Sequence, residues 1–213
     1  MSSPALSGRL TSVKAQALTD FVIGCTAHPS TIIQGQSADE AKVVKPDWEL
    51  YVDGARKDKG AGAGILIEGP REKTVEYALL VSFPATNNED EYEVMIVGLK
   101  LVKSFNIEEI LVRGDSKLVI DQIRGGCGFK NEILMKYREK AVEIAQVFKW
   151  VVFEHIPRAE NGKADRLSRL ATTYYSELPK GVYVEVYNLP AYKGAMVKVL
   201  ADTNLEDWRT PIT

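Results

Sequence analysis

The sequence predicts an α/β domain built on a five-stranded mixed sheet with helices on both faces. Three observations lead there. Three β-rich runs, Trp48 to Val52, Ala61 to Ile67 and Thr74 to Val81, follow one another through short turns. The apolar spacing after them lengthens to that of helices. Two further apolar runs, Ile110 to Val112 and Trp150 to His155, then alternate with helical stretches. Strands first and alternation later give an antiparallel meander extended by crossovers, with helices packed on the sheet.

Residues 1–45 are polar, carry little periodicity and are expected to be flexible, with a short amphipathic turn around Ala15 to Phe21. Order begins near Pro46. Arg56-Lys57-Asp58-Lys59-Gly60 and Glu68-Gly69-Pro70 are the turns between the first three strands. Thr86 or Asn88 caps the first helix, and Glu89, Asp90 and Glu91 suit the positive end of its dipole. Tyr92, Met95, Ile96, Leu99 and Val102 then recur at helical spacing, with Glu91 bordering that buried stripe. Ile110 to Val112 reads as a short buried central strand. Ser116 caps a helix over Lys117 to Ile123, which stops at Gly125-Gly126. Asn131 to Phe148 is a longer helix, Trp150 to His155 the fifth strand, and Asn161 to Thr173 a last helix with Ala164, Leu167, Leu170 and Ala171 on one face. Residues 46–175 form the domain, and 176–213 follow it as a linker.

Composition bounds the function. A chain of 213 residues holds one domain with a sizeable core plus tails. Its 45% hydrophobic and 26% charged residues are ordinary for a globular protein. A formal net charge of −2 argues against whole-surface attraction to nucleic acid, so any basic contact surface must be local. Arg56, Lys57, Lys59, Arg158 and Lys163 are the candidates for such a rim, and a solvated surface explains each of them equally well. Cys25 and Cys127 are the only cysteines, which excludes a disulfide framework or a cysteine-rich zinc site and suits a reducing compartment, cytoplasm or nucleus. No apolar run approaches transmembrane length, and none has signal-peptide form, so no membrane partner is expected.

Four carboxylates carry the chemistry. Asp53 follows the first strand, Glu91 lies in the first turns of the first helix, Asp115 follows the fourth strand and Asp165 sits early in the last helix. Acids at strand ends and helix starts can converge, and converging acids bind hard divalent cations. Each alone has an ordinary reading: a turn aspartate, a helix-start acid, a cap and a solvated helix residue. The four together are the signal.

Their neighbours sharpen it. The order strand-Asp-Gly, Thr-Asn-Asn-x-x-Glu helix, strand-Gly-Asp-Ser and Asn-x-x-x-Asp helix resembles type 1 ribonuclease H over Trp48 to Thr173. Gly60 to Gly64, Phe83 to Asn88, Asp115 to Val119 and His155 to Asn161 resemble the archaeal-like form in plant gypsy-type long-terminal-repeat retrotransposons. Val13 to Leu18 looks like the tail of a preceding degenerate segment, and Asp207 to Ile212 like a linker running towards an integrase. The resemblance implies a ribonuclease H-like fold and a polyprotein slice, with reverse transcriptase and integrase parts as partners.

It also implies hydrolysis of the RNA strand of an RNA–DNA hybrid. Asp53, Glu91, Asp115 and Asp165 match the family's metal-binding carboxylates, for two Mg²⁺ ions with Mn²⁺ as substitute. His155, ten residues before Asp165, falls where the family's loop histidine moves protons, although packing at a strand end explains it equally. Thr86, Asn87, Asn88 and Asn161 match substrate-contacting positions, and capping is their other reading. Gly54 is expected to admit close approach of substrate. Lys117 stands where the family often has glutamine, which implies a phosphate contact, and Asp90 replaces a small apolar residue. A non-catalytic nucleic-acid-binding or structural module from a decayed or domesticated retroelement is the alternative. A nucleotidyl transferase or integrase of the same broad fold is disfavoured by the Thr-Asn-Asn-x-x-Glu helix and the late Asp165.

Overall fold

The computed structural model describes residues 32–34, 45–57, 60–126, 131–171, 182–193 and 197–201. Ala15 to Phe21, Val13 to Leu18, Lys59, both cysteines and Asp207 to Ile212 lie outside them, as do the side chains of Arg56 and Lys57.

Strands β1 (Ile32–Gln34), β2 (Glu49–Lys57), β3 (Gly60–Glu68) and β4 (Thr74–Val81) precede helix α1 (Asn87–Ser104). Strand β5 (Glu109–Gly114), helices α2 (Lys117–Ile123) and α3 (Glu132–Ala145), strand β6 (Trp150–His155) and helix α4 (Gly162–Ala171) follow. Strands β7 (Val182–Tyr187) and β8 (Val197–Ala201) come last. The strands form one mixed sheet in the order β1-β6-β5-β2-β3-β4-β7-β8. Strands β2, β3 and β4 are the antiparallel meander, and β5 and β6 add to it in parallel.

Among the described residues the sheet therefore has eight strands rather than five. The five expected strands are its centre. Strand β1 closes one edge antiparallel to β6, and β7 adds to the other edge parallel to β4, followed by β8. The physical reason is edge burial. Val182, Val184 and Tyr187 are buried where β7 covers the open backbone of β4, so the edge does not remain an unpaired ladder. Two of the added strands come from the stretch expected as a linker, and β1 from the N-terminal segment.

The first strand is also longer than expected. It runs through Asp53-Gly54 to Lys57 in register with Gly60 to Glu68 of β3, and Asp53 pairs with Gly64. An Asp-Gly pair that reads as a turn in isolation stays extended here because β3 pairs with it on one side and β5 flanks its first half on the other.

Helices cover both faces, as expected. Leu50, Val52, Ile65 and Ile67 meet Tyr92, Met95, Ile96 and Leu99 of α1, with Tyr137 of α3 and Phe153, in the larger core. On the opposite face Leu66 and Ala78 meet Leu167 and Ala171 of α4 with Val182 and Val184 of β7. Each fully buried Leu or Ile contributes about 1.5–3 kcal/mol, so the two-sided burial locks the register that sends Asp53 to the α4 face. Helix α1 is started by Thr86: its hydroxyl accepts from the Glu89 N–H, and the Glu89 carboxylate accepts from the Thr86 N–H at 2.8 Å. No helix among the described residues is long and apolar enough to cross a membrane.

Candidate active site

Three elements meet where the acids stand: the middle of β2, the first turns of α1 and the end of β5. Asp53 is 1% exposed, with its Oδ2 accepting a 2.5 Å hydrogen bond from the Ser168 hydroxyl of α4. Gly54, the next residue, touches α1 so closely that a Cβ there would lie 3.2 Å from the Glu91 N. Its backbone N–H also hydrogen-bonds the Glu91 carboxylate. Gly54 thus seats the helix against the strand. Asp115 follows the last residue of β5, and the Asn161 amide spans Asp115 and β2, donating to Val52 O at 2.8 Å and weakly to Asp115 Oδ1 at 3.5 Å.

Electrostatics registers the convergence. Burial, then the charges of Asp115 and Asp53, push Glu91 up to about 8. Burial is also the main force raising Asp53, with Asp115 and Asp165 adding to it and the Ser168 hydroxyl working against it. Asp165 behaves differently. Burial would raise it, but hydrogen bonds from Arg158 at 2.9 Å and Arg169 at 3.0 Å more than offset that, and its carboxyl lies below the ordinary range.

Asp53 thus feels the charges of Asp115 and Asp165, and Glu91 those of Asp115 and Asp53, yet among the described residues no three His, Cys, Asp or Glu side chains are gathered closely enough to hold a metal ion. This is looser than the expected cluster. The reason is charge: uncompensated carboxylates repel, and two guanidinium groups hold the Asp165 oxygens. The donor set still suits a hard cation. It is all oxygen, and Glu91 is held up by burial and then by neighbouring negative charge, the second of which a cation would offset. Asn161 Oδ1 adds a buried acceptor with no hydrogen-bond partner.

The remaining candidates divide. His155 ends β6 in register with Gly114, exposed beside the Asp115 turn. Thr86 is engaged in the cap, Asn87 is exposed in the first turn of α1 and Asn88 is half-buried. Lys117 is exposed and pairs with Asp121 at 2.7 Å. Asn161 is 1% exposed, and its amide bridges Asp115 and β2. Of the expected basic rim, Arg158 is tied to Asp165 and Lys163 to Glu68. Ser168 was not expected. It sits three residues after Asp165 on the buried stripe of α4, and a hydroxyl on an otherwise apolar face was the available signal.

A model of the reverse transcriptase-like family matches residues 51–171. Ribonuclease HI of Halobacterium salinarum is 32% identical over 148 residues, 66% of this chain and 74% of that protein. The chain belongs to the reverse transcriptase-like family and carries a ribonuclease H-like domain. Solved ribonucleases H agree with the fold. The crystal structure of ribonuclease H1 from that halophilic archaeon has a TM-score of 0.54 at 31% identity, covering 57% of this chain and 94% of its own. LC11 ribonuclease H1 in complex with an RNA/DNA hybrid has a TM-score of 0.52 at 30% identity, covering 58% of this chain and 94% of its own. The domain is thus of the ribonuclease H enzyme class. The family match ends at Ala171, which leaves β7 and β8 outside it.

Two expected results follow from this geometry. Ser168→Ala leaves Asp53 buried without its donor, and should cost about 1–3 kcal/mol of stability and lower turnover while hybrid affinity holds. Chemical unfolding and single-turnover cleavage check this. The raised Glu91 sets a pH slope. A carboxyl whose folded value exceeds its unfolded one contributes stability that is present below about 4.5 and lost as pH rises through about 8. Without divalent cations, the fall in melting temperature between pH 5 and pH 8.5 should be smaller in Glu91→Gln than in the wild type. Equal falls would contradict the shift.

Proposed function

We propose that this domain hydrolyses the RNA strand of RNA–DNA hybrids in a divalent-cation-dependent reaction. The observation that carries the reading is the junction of buried Asp53 with half-buried Glu91 and Asp115, in which Asp53 and Glu91 are held at raised proton affinity, inside a ribonuclease H-like domain. A relative of the same fold described in complex with an RNA/DNA hybrid supports the substrate class.

Asp53, Glu91 and Asp115 are the residues that would hold Mg²⁺ or Mn²⁺, with Asp165 joining once its arginines release it. Such a cation supplies activation of water and stabilisation of the leaving oxygen. The protein's own groups do the rest. Ser168 fixes the Asp53 carboxylate, and Asn161 ties the Asp115 turn to β2. Exposed His155 stands beside the Asp115 turn, within reach of an incoming phosphate as a proton carrier. Asn87 and Asn88 occupy the positive end of α1, where they meet a phosphate or 2′-hydroxyl. Lys117 adds a phosphate contact, so Lys117→Gln should reduce hybrid affinity modestly and preserve cleavage.

The polyprotein context belongs to the same proposal. Residues 1–45 continue from a preceding segment and 176–213 lead towards an integrase-like region of a gypsy-type retroelement. A second reading, a non-catalytic hybrid-binding module, is favoured by one observation: both Asp165 oxygens are engaged by arginines. The test offers purified protein labelled RNA–DNA hybrid, duplex RNA and duplex DNA, with and without Mg²⁺ or Mn²⁺. The hydrolase reading requires cutting of hybrid RNA alone, leaving 5′-phosphate and 3′-hydroxyl ends. Binding without cutting gives the module.

A further inference from the structure

Helix α1 carries two acids with opposite tasks. Glu91 faces the carboxylate junction, and Glu93 is 1% exposed on another side of the helix. The Glu93 carboxylate accepts from the Ala191 N–H at 2.8 and 3.0 Å and from the Tyr137 hydroxyl of α3 at 2.5 Å. Lys100, two turns along α1, donates to Ala191 O at 3.3 Å. Both backbone groups of one residue are thus held by side chains of α1.

Ala191 opens the short 3-10 turn Ala191–Lys193 that follows β7. Its neighbourhood is closed. Ala191 is 0% exposed, and the Tyr192 ring meets Tyr137 edge-on at 4.7 Å. Tyr137 in turn stacks on Tyr92 of α1 at 5.9 Å. The same segment grips the approach to α1: the Ser82 N–H and hydroxyl both donate to Tyr187 O, at 2.9 and 3.0 Å. Ser82 lies four residues before the cap Thr86. The chain from 182 to 193 therefore runs along β4, holds the loop that enters α1, and ends on α1 itself.

We propose that this segment is a strap outside the matched family domain, and that Glu93 is a positioning residue that uses it to hold Glu91 against Asp53 and Asp115. The proposal rests on the hydrolase reading for its activity consequences. A buried charge of this kind has a structural task, because an unpaired carboxylate would be costly there. Its partners lie on α3 and on the strap, so removing either side loosens α1 as a unit. Glu91 is about half a turn from Glu93, and small shifts of a reacting group cost rate more than affinity.

The experiment compares the full chain with Glu93→Ala, Glu93→Gln and Ala191→Pro, the last replacing the N–H that Glu93 accepts from with a ring carbon. The readouts are kcat and KM for hybrid and amide hydrogen exchange across α1. Glu93→Ala should lower kcat at least about tenfold with KM within about twofold, and the first turns of α1 should exchange faster. Glu93→Gln, which keeps an acceptor oxygen, should restore most of the loss. Combining Glu93→Ala with Ala191→Pro should be no worse than the more damaging single change, as two ends of one contact require. Wild-type kcat and wild-type exchange in folded Glu93→Ala would overturn the strap. If Glu93→Ala does not fold, Ala191→Pro carries the same comparison. If the wild type cuts no hybrid, the hydrolase reading fails separately. Exchange then decides: unchanged α1 protection overturns the strap, and faster exchange supports it.

Discussion

On the proposed hydrolase reading, Asp53→Asn should slow hybrid cleavage by about 1000-fold or more, because a group that holds a reaction's cation supplies several kcal/mol and each 1.36 kcal/mol is tenfold. Hybrid affinity should change little, since phosphate and sugar contacts made elsewhere dominate it. The fold should not suffer. Asparagine has the aspartate's shape and still accepts from Ser168, and it removes a charge that burial, Asp115 and Asp165 all disfavour. The melting temperature should therefore stay level or rise at neutral pH while activity collapses. Single-turnover cleavage, hybrid titration and thermal unfolding of one preparation check all three parts. A large loss of stability alongside the loss of activity would mean that the Asp53 charge is structural.

Gly64→Ala should do the reverse and damage the fold first. A Cβ on Gly64 would lie 2.0 Å from Ala164 O, 2.6 Å from Ser168 N and 2.9 Å from Leu167 Cβ. Two of these are backbone atoms of α4, so no rotamer change relieves the clash and the helix must lift from the sheet. The cost is about 3 kcal/mol, the upper end for overpacking. Because α4 carries Ser168 and Asp165, cleavage should fall with stability. Two controls calibrate the result. Gly98→Ala meets only side-chain methyls, of Leu50 at 3.1 and 3.2 Å and of Val52 at 3.2 Å, and should cost less, and Gly162→Ala meets nothing within 4 Å and should be near neutral. Chemical denaturation of the three variants gives the order directly.

The centre of the fold was legible because its signals are local. Thr86 with Glu89 three residues on announces the start of α1, and β-branched runs bounded by glycine and proline announce β3 and β4. The edges were less so. Val182-Tyr183-Val184-Glu185-Val186-Tyr187 has a strand's composition, but it lies past the domain's motifs, and its partners, the edge of β4 and β8, are supplied by the tertiary fold. The length of β2 depended on tertiary pairing in the same way: Asp53-Gly54 is a turn by composition and a strand by its register with Ala63 and Gly64.

At the site, the four acids could be proposed from the sequence because four separated motifs agreed in order. Their state could not. That Asp53 is satisfied by Ser168 depends on α4 lying directly on Gly64, a contact between residues more than a hundred positions apart. Arg169 follows Asp165 by four residues, a spacing that pairs charges on a helix and was there to be read. Arg158 reaches the same carboxylate from the 3-10 turn Arg158–Glu160, where sequence spacing says little about direction.

Whether Asp53, Glu91 and Asp115 form one cation-dependent site for cutting RNA paired with DNA can be read from a single titration. The initial rate of RNA-strand cleavage in a labelled hybrid is followed as Mg²⁺ is raised, for the wild type and for Asp53→Asn combined with Asp115→Asn. One shared site requires no cutting without the cation, saturable cutting by the wild type, and near-complete loss in the double variant with hybrid binding retained. Equal cutting by the two proteins would contradict it, as would a well-folded wild type that binds hybrid and leaves it intact at every Mg²⁺ concentration.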